Sequence, residues 1–105
     1  MTKEDFMYEF LQGISLNTPQ NAVELRKASE NIISKWINLK FEYPHKLIDN
    51  FVYIESSIER LIEEKINDPA KSTREYTKRY NFHIESFIES LLELRSFVEE
   101  CRSVK

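Results

Sequence analysis

The chain has 105 residues, 41% of them apolar and 31% charged, with a formal net charge of −3. That is enough apolar side chain for one core, so a single domain spanning 1–105 is expected; a disordered chain is excluded, and so is a general polyanion binder, which needs a marked basic excess. One glycine and three prolines leave so few places for a sharp turn that the chain must be built from a few long elements.

The first element is a short helix. Thr2 is its N-cap, with Glu4 and Asp5 at the positive end of the helix dipole, and Phe6, Met7, Phe10, Leu11 and Ile14 fall on one face. Gly13 stands where such a helix would end. Thr18 followed by Pro19 reads as the start of a second helix, a hydroxyl cap before proline at the first helical position. Ala22, Leu25, Ser29, Ile32, Trp36 and Leu39 then recur at alternating three and four residues, with Ile33 and Ile37 widening the stripe to about Glu42, where Tyr43 precedes Pro44 and leaves the helical region.

Pro44 can open a third helix, in which Leu47, Phe51, Ile54, Ile58 and Leu61 keep the same spacing and Ile48, Val52, Ile62 and Ile66 broaden it. Asn67, Asp68 and Pro69 end it. The fourth helix starts at Pro69, capped by Asp68, or at Thr73, where Ser72 and Glu75 make a capping box. From there Tyr80, Ile84, Phe87, Leu91, Leu94, Val98 and Cys101 repeat at three and four residues. The pattern predicts an all-α, antiparallel, up-and-down four-helix bundle with a short first and a long fourth helix. At 1.5 Å per residue the fourth helix reaches about 45 Å against about 35 Å for the second and third, so some of it must be covered by helix one, a partner or water. A two-fold partner would make a homodimer. Residues 53–64 and 83–94 agree at seven of twelve positions, an echo that either a duplicated hairpin or a small amphipathic alphabet would produce.

Chemistry finds little to stand on. One glycine cannot build a phosphate cradle, and Cys101, His45 and His83 are too few and too scattered for a structural zinc site. Only His45 has a Glu three residues before it, Glu42, with Pro44 between them, so the two Glu-x-x-His motifs that a di-metal bundle site requires are not both present. Neither metal nor cofactor is expected. Cys101, the sole cysteine, forms no internal disulfide and has no His near it in sequence to activate it. Helical ribonucleases of the HEPN class carry an Arg, then a polar residue, then a His with four to six residues between it and the Arg; here Tyr80 follows Arg79, and only three residues separate Arg79 from His83. The match fails at both points that carry the chemistry, and no catalytic residue is assigned. The start of the chain has no basic run leading into an apolar one, and no stretch approaches about 18 apolar residues, so the expected location is cytoplasmic, with no membrane span.

A surface remains. Residues 51–68 hold five acids and two bases, whereas 69–83 hold Lys71, Arg74, Lys78 and Arg79 against Glu75 alone. The bases are interleaved with Tyr76, Tyr80 and Phe82 and followed by His83, the mixture of apolar area and polar tips that interfaces favour. The expectation is a non-enzymatic protein-interaction module of inhibitor, immunity or adaptor type that docks a protein partner through helix four. The binding set is Lys71, Arg74, Tyr76, Lys78, Arg79, Tyr80, Phe82 and His83. Weak nucleic-acid binding through 71–79 is the alternative, disfavoured by the surrounding acids.

Two short stretches, Tyr8-Glu-Phe-Leu-Gln-Gly-Ile-Ser15 before a long helix and Leu47-Ile-Asp-Asn-Phe-Val52 early in the third, resemble the corresponding parts of the enterocin A type bacteriocin immunity proteins. That resemblance implies an antiparallel four-helix bundle in the cytoplasm that guards a membrane permease against a secreted peptide. The long fourth helix and the lack of a trailing tail depart from the family pattern.

Overall fold

The computed structural model describes residues 2–16, 19–39, 46–67 and 73–103. Four helices occupy them: α1 (Lys3–Leu16), α2 (Ala22–Asn38), α3 (Lys46–Asn67) and α4 (Thr73–Ser103), with no strand among the described residues. The apolar stripes dictate the packing. Leu25, Ile32 and Trp36 of α2, Phe51, Ile54 and Ile58 of α3, Phe87, Leu94 and Val98 of α4, and Met7 and Leu11 of α1 form one continuous buried core. α2 packs most extensively on α3, α4 packs on both α1 and α3, and α1 and α3, diagonal to each other, have no Cα atoms within 8 Å of one another among the described residues.

Cross-helix contacts fix the directions. Phe51 meets Phe87 edge-on at 5.7 Å, and Arg79 reaches back to Glu64, so α3 runs antiparallel to the first two thirds of α4. Trp36 lies 6.3 Å from Phe97, while the Tyr80 hydroxyl donates to the Pro19 carbonyl at 3.5 Å, so α2 runs parallel to α4 across the core. Arg102 Nε donates to Asp5 at 2.6 Å, which seats α1 antiparallel against the far end of α4. This is the up-and-down bundle, 55 × 22 × 19 Å.

Three local readings change. α1 does not stop at Gly13 but runs on to Leu16: a glycine ends a helix when the backbone turns left-handed there, and Gly13 keeps the helical path in the open gap between α1 and α2. α2 starts at Ala22, with Pro19 outside it. Asn21 is the cap, its side chain accepting from the Glu24 amide at 2.9 Å while Glu24 accepts from the Gln20 amide at 2.7 Å. This exchange of hydrogen bonds satisfies the first amides better than a hydroxyl three residues earlier would. α2 also ends at Asn38, short of Glu42. The surplus length of α4 falls at its C-terminal end, past the start of α3, and α1 covers it. Thr2 and Asp5 cap α1 reciprocally, as expected. Lys71, Ser72, Pro69, Pro44 and His45 lie outside the described residues.

Candidate docking surface on helices three and four

The helical period divides the residues expected to bind a partner into two sets. Tyr76 and Tyr80 turn inward and pack against the core. Burial first, then Tyr76 and Glu24, raise the Tyr80 phenol above its ordinary range, and the Lys65 ammonium sits 5.8 Å from the Tyr76 ring. Arg74, Lys78 and Phe82, spaced four apart, face outward on one stripe, with Phe82 62% exposed. Lys71 lies outside the described residues.

Arg79 and His83 fall between these sets, on the edge of α4 that faces α3. Arg79 donates to Glu64 at 2.7 Å, a partly exposed ion pair that ties the ends of the two helices together. His83 is 7% exposed. Its ring stands 5.4 Å from Phe82 and 6.0 Å from Tyr53 of α3, so three rings form a continuous run across the helix pair. Burial, and secondarily the Arg79 guanidinium, hold the His83 imidazole below its ordinary pKa of 6.5, and its Nδ1 is enclosed with no hydrogen-bond partner.

Around these rings lies an open hollow of about 530 Å³ whose α3 wall is Tyr53, Ser57 and Arg60 and whose α4 wall includes Glu75, Lys78, Phe82 and His83. Tyr53 is 57% exposed. Arg60, Arg74 and Lys78 have no carboxylate partner among the described residues. The α3 contribution escaped the sequence reading, because a stripe of Tyr53, Ser57 and Arg60 at helical spacing looks like any solvated flank until the register between α3 and α4 is known. One signal was available: an exposed Tyr among the acids of 51–68.

Deeper along the same interface, the Asn50 amide donates to the hydroxyls of Ser86, at 3.1 Å, and Ser90. This polar layer fixes the α3–α4 register and so holds the hollow's two walls opposite each other. No group of three or more His, Cys, Asp or Glu side chains that could hold a metal ion exists among the described residues, and no helix there is long and apolar enough to cross a membrane. No protein-family model, curated protein or solved structure matches this chain.

Proposed function

We propose that this chain is a small non-enzymatic interaction module that docks a protein partner through the outer stripe of α4 and the adjoining edge of α3. The observation that carries the reading is the pairing of two large exposed rings, Phe82 and Tyr53, with three exposed cations, Arg60, Arg74 and Lys78, that have no carboxylate partner among the described residues. Rings of this kind supply binding energy by leaving water, and the cations set orientation and partner choice. A rigid bundle suits the task, since a preorganised surface loses little conformational freedom on binding. Inhibitors, immunity factors and adaptors all work this way.

The test is affinity capture from the native host with the wild-type chain and with a variant carrying Arg74→Glu, Lys78→Glu and Phe82→Asp. Arg79 is left intact because its link to Glu64 is structural. One protein retained by the wild type and lost by the variant, with unchanged thermal unfolding, is the expected result. An identical set of retained proteins would remove the docking surface. A partner whose retention collapses between low and physiological salt and after nuclease treatment would assign the surface to nucleic acid instead.

A further inference from the structure

The hollow between α3 and α4 has a chemistry more specific than its exposure. Apart from Glu75, which is itself engaged, every polar side chain named on its walls can donate a hydrogen bond: the hydroxyls of Tyr53 and Ser57, the Arg60 guanidinium, the Lys78 ammonium and the His83 ring. The His83 tautomer follows from its burial. An enclosed Nδ1 without a partner is better tolerated as an unmatched lone pair than as an unmatched N–H, so the proton of the neutral ring sits on Nε2, the nitrogen that is not enclosed. The charged donors Arg60 and Lys78 have no acceptor of their own among the described residues. Convergent donors without an acceptor call for an anion. The flanking Tyr53 and Phe82 rings call for a flat apolar group beside it, and about 530 Å³ is within the range that holds one such group.

From this juxtaposition we infer that the hollow receives an acidic–aromatic segment of the partner, its carboxylate held among Arg60, Lys78 and His83 and its ring laid against Phe82 and Tyr53. The inference rests on the docking reading above and names the chemistry of the docked segment. A carboxylate, rather than the repeated charge of a polynucleotide, suits the site because Glu64 and Glu75 lie beside it and leave only a local excess of positive charge. A bound carboxylate also stabilises the protonated imidazole, so occupancy opposes the depression of the His83 pKa that burial and Arg79 impose.

The probe is the blocked tripeptide Ac-Asp-Phe-Asp-NH2, titrated at pH 6.5 while backbone amides and the His83 Cε1–H are followed by NMR. Binding at about 1 mM is expected, with shifts confined to Tyr53, Ser57, Arg60, Lys78, Phe82 and His83. Ac-Asn-Phe-Asn-NH2 and Ac-Asp-Ala-Asp-NH2 should each bind at least about tenfold more weakly, a loss of about 1.4 kcal/mol. Lys78→Gln and Arg60→Gln, both on exposed side chains that leave the core untouched, should together weaken binding about tenfold. Equal binding of the uncharged peptide, or no effect of the two substitutions together, overturns the inference. Tighter binding of a uridine hexanucleotide overturns it in favour of single-stranded RNA. If the peptide leaves His83 unmoved while the capture experiment still loses its partner, this inference falls and the docking reading stands. If the peptide binds as described while capture is indifferent to the α4 stripe, the carboxylate site stands and protein docking through that stripe falls.

Discussion

Gly13 shows how one residue can be placed by the fold and still be replaceable. It lies inside α1, and a methyl group built on it meets nothing within 4 Å, so Gly13→Ala should gain the helix propensity that glycine forfeits, about 0.8–1 kcal/mol. That is a rise of roughly 4–8 °C in melting temperature for a domain of this size; an unchanged or lowered value would mean that the α1–α2 gap is closed in solution. Ser29 makes the complementary case. It is fully buried on α2, and its hydroxyl has no hydrogen-bond partner, so Ser29→Ala removes an unmatched polar atom and should leave stability equal or higher by chemical unfolding. Trp36, 1% exposed, has the opposite balance, and Trp36→Ala should cost about 3–5 kcal/mol. His83 gives stability a pH dependence of known sign. Because its folded-state pKa is below 6.5, the unfolded chain binds more protons as pH falls below that value, so its contribution is complete at neutral pH and lost on acidification. The groups around it are Arg79, Lys78, Arg60, Tyr53 and Glu75. Unfolding free energies at pH 7.5 and 5.5 should differ less in His83→Leu than in the wild type, and parallel profiles would mean that His83 is not enclosed in solution.

Among the elements, α1 is the most weakly held, since it packs little against α2 and well only against the far half of α4. Arg102 is its main polar anchor, bonded to Asp5 and stacked 4.2 Å from the Tyr8 ring. Hydrogen exchange should therefore reveal α1 opening at a lower free energy than α2 and α3, and Arg102→Leu should widen the gap by about 0.5–1 kcal/mol, as for a partly exposed ion pair. Uniform protection along all four helices would show one cooperative unit instead. The helices themselves were legible from their apolar periods: Ala22, Leu25, Ser29, Ile32 and Trp36, read as the α2 stripe, are the buried residues of α2. Their ends were less so, because Gly13 and Thr18-Pro19 are signals whose meaning depends on the backbone they sit in, and the Asn21–Glu24 exchange outcompetes the latter. Ile37, Val52 and Ile66 were expected to widen the stripes yet are exposed, since a helix with two packed neighbours buries only its central arc. The basic, aromatic half of the candidate site could be read from residues 71–83. The α3 half could not, because it depends on a register set by Asn50, Ser86 and Ser90 across more than thirty residues of chain.

At the scale of the molecule, α4 is the spine on which a staggered pair of helices is laid, α3 along its first part and α1 along its last. The stagger resolves the length mismatch without a second copy, and sedimentation at about 100 μM should give the mass of one chain, with a dimer expected only if the exposed Phe82 and Tyr53 rings bury each other. It also sets a schedule for synthesis. The bond between Asp5 and Arg102 spans 97 residues, so Met7 and Leu11 leave the ribosome long before the surface that will bury them exists. At the usual rate of about 5–20 residues per second, that interval lasts roughly 5–20 s. The α2–α3 hairpin can settle as soon as it emerges, but α1, made before it, is the last of the four helices to find its place, and the growing chain carries an uncovered greasy face for chaperones to hold until α4 has emerged.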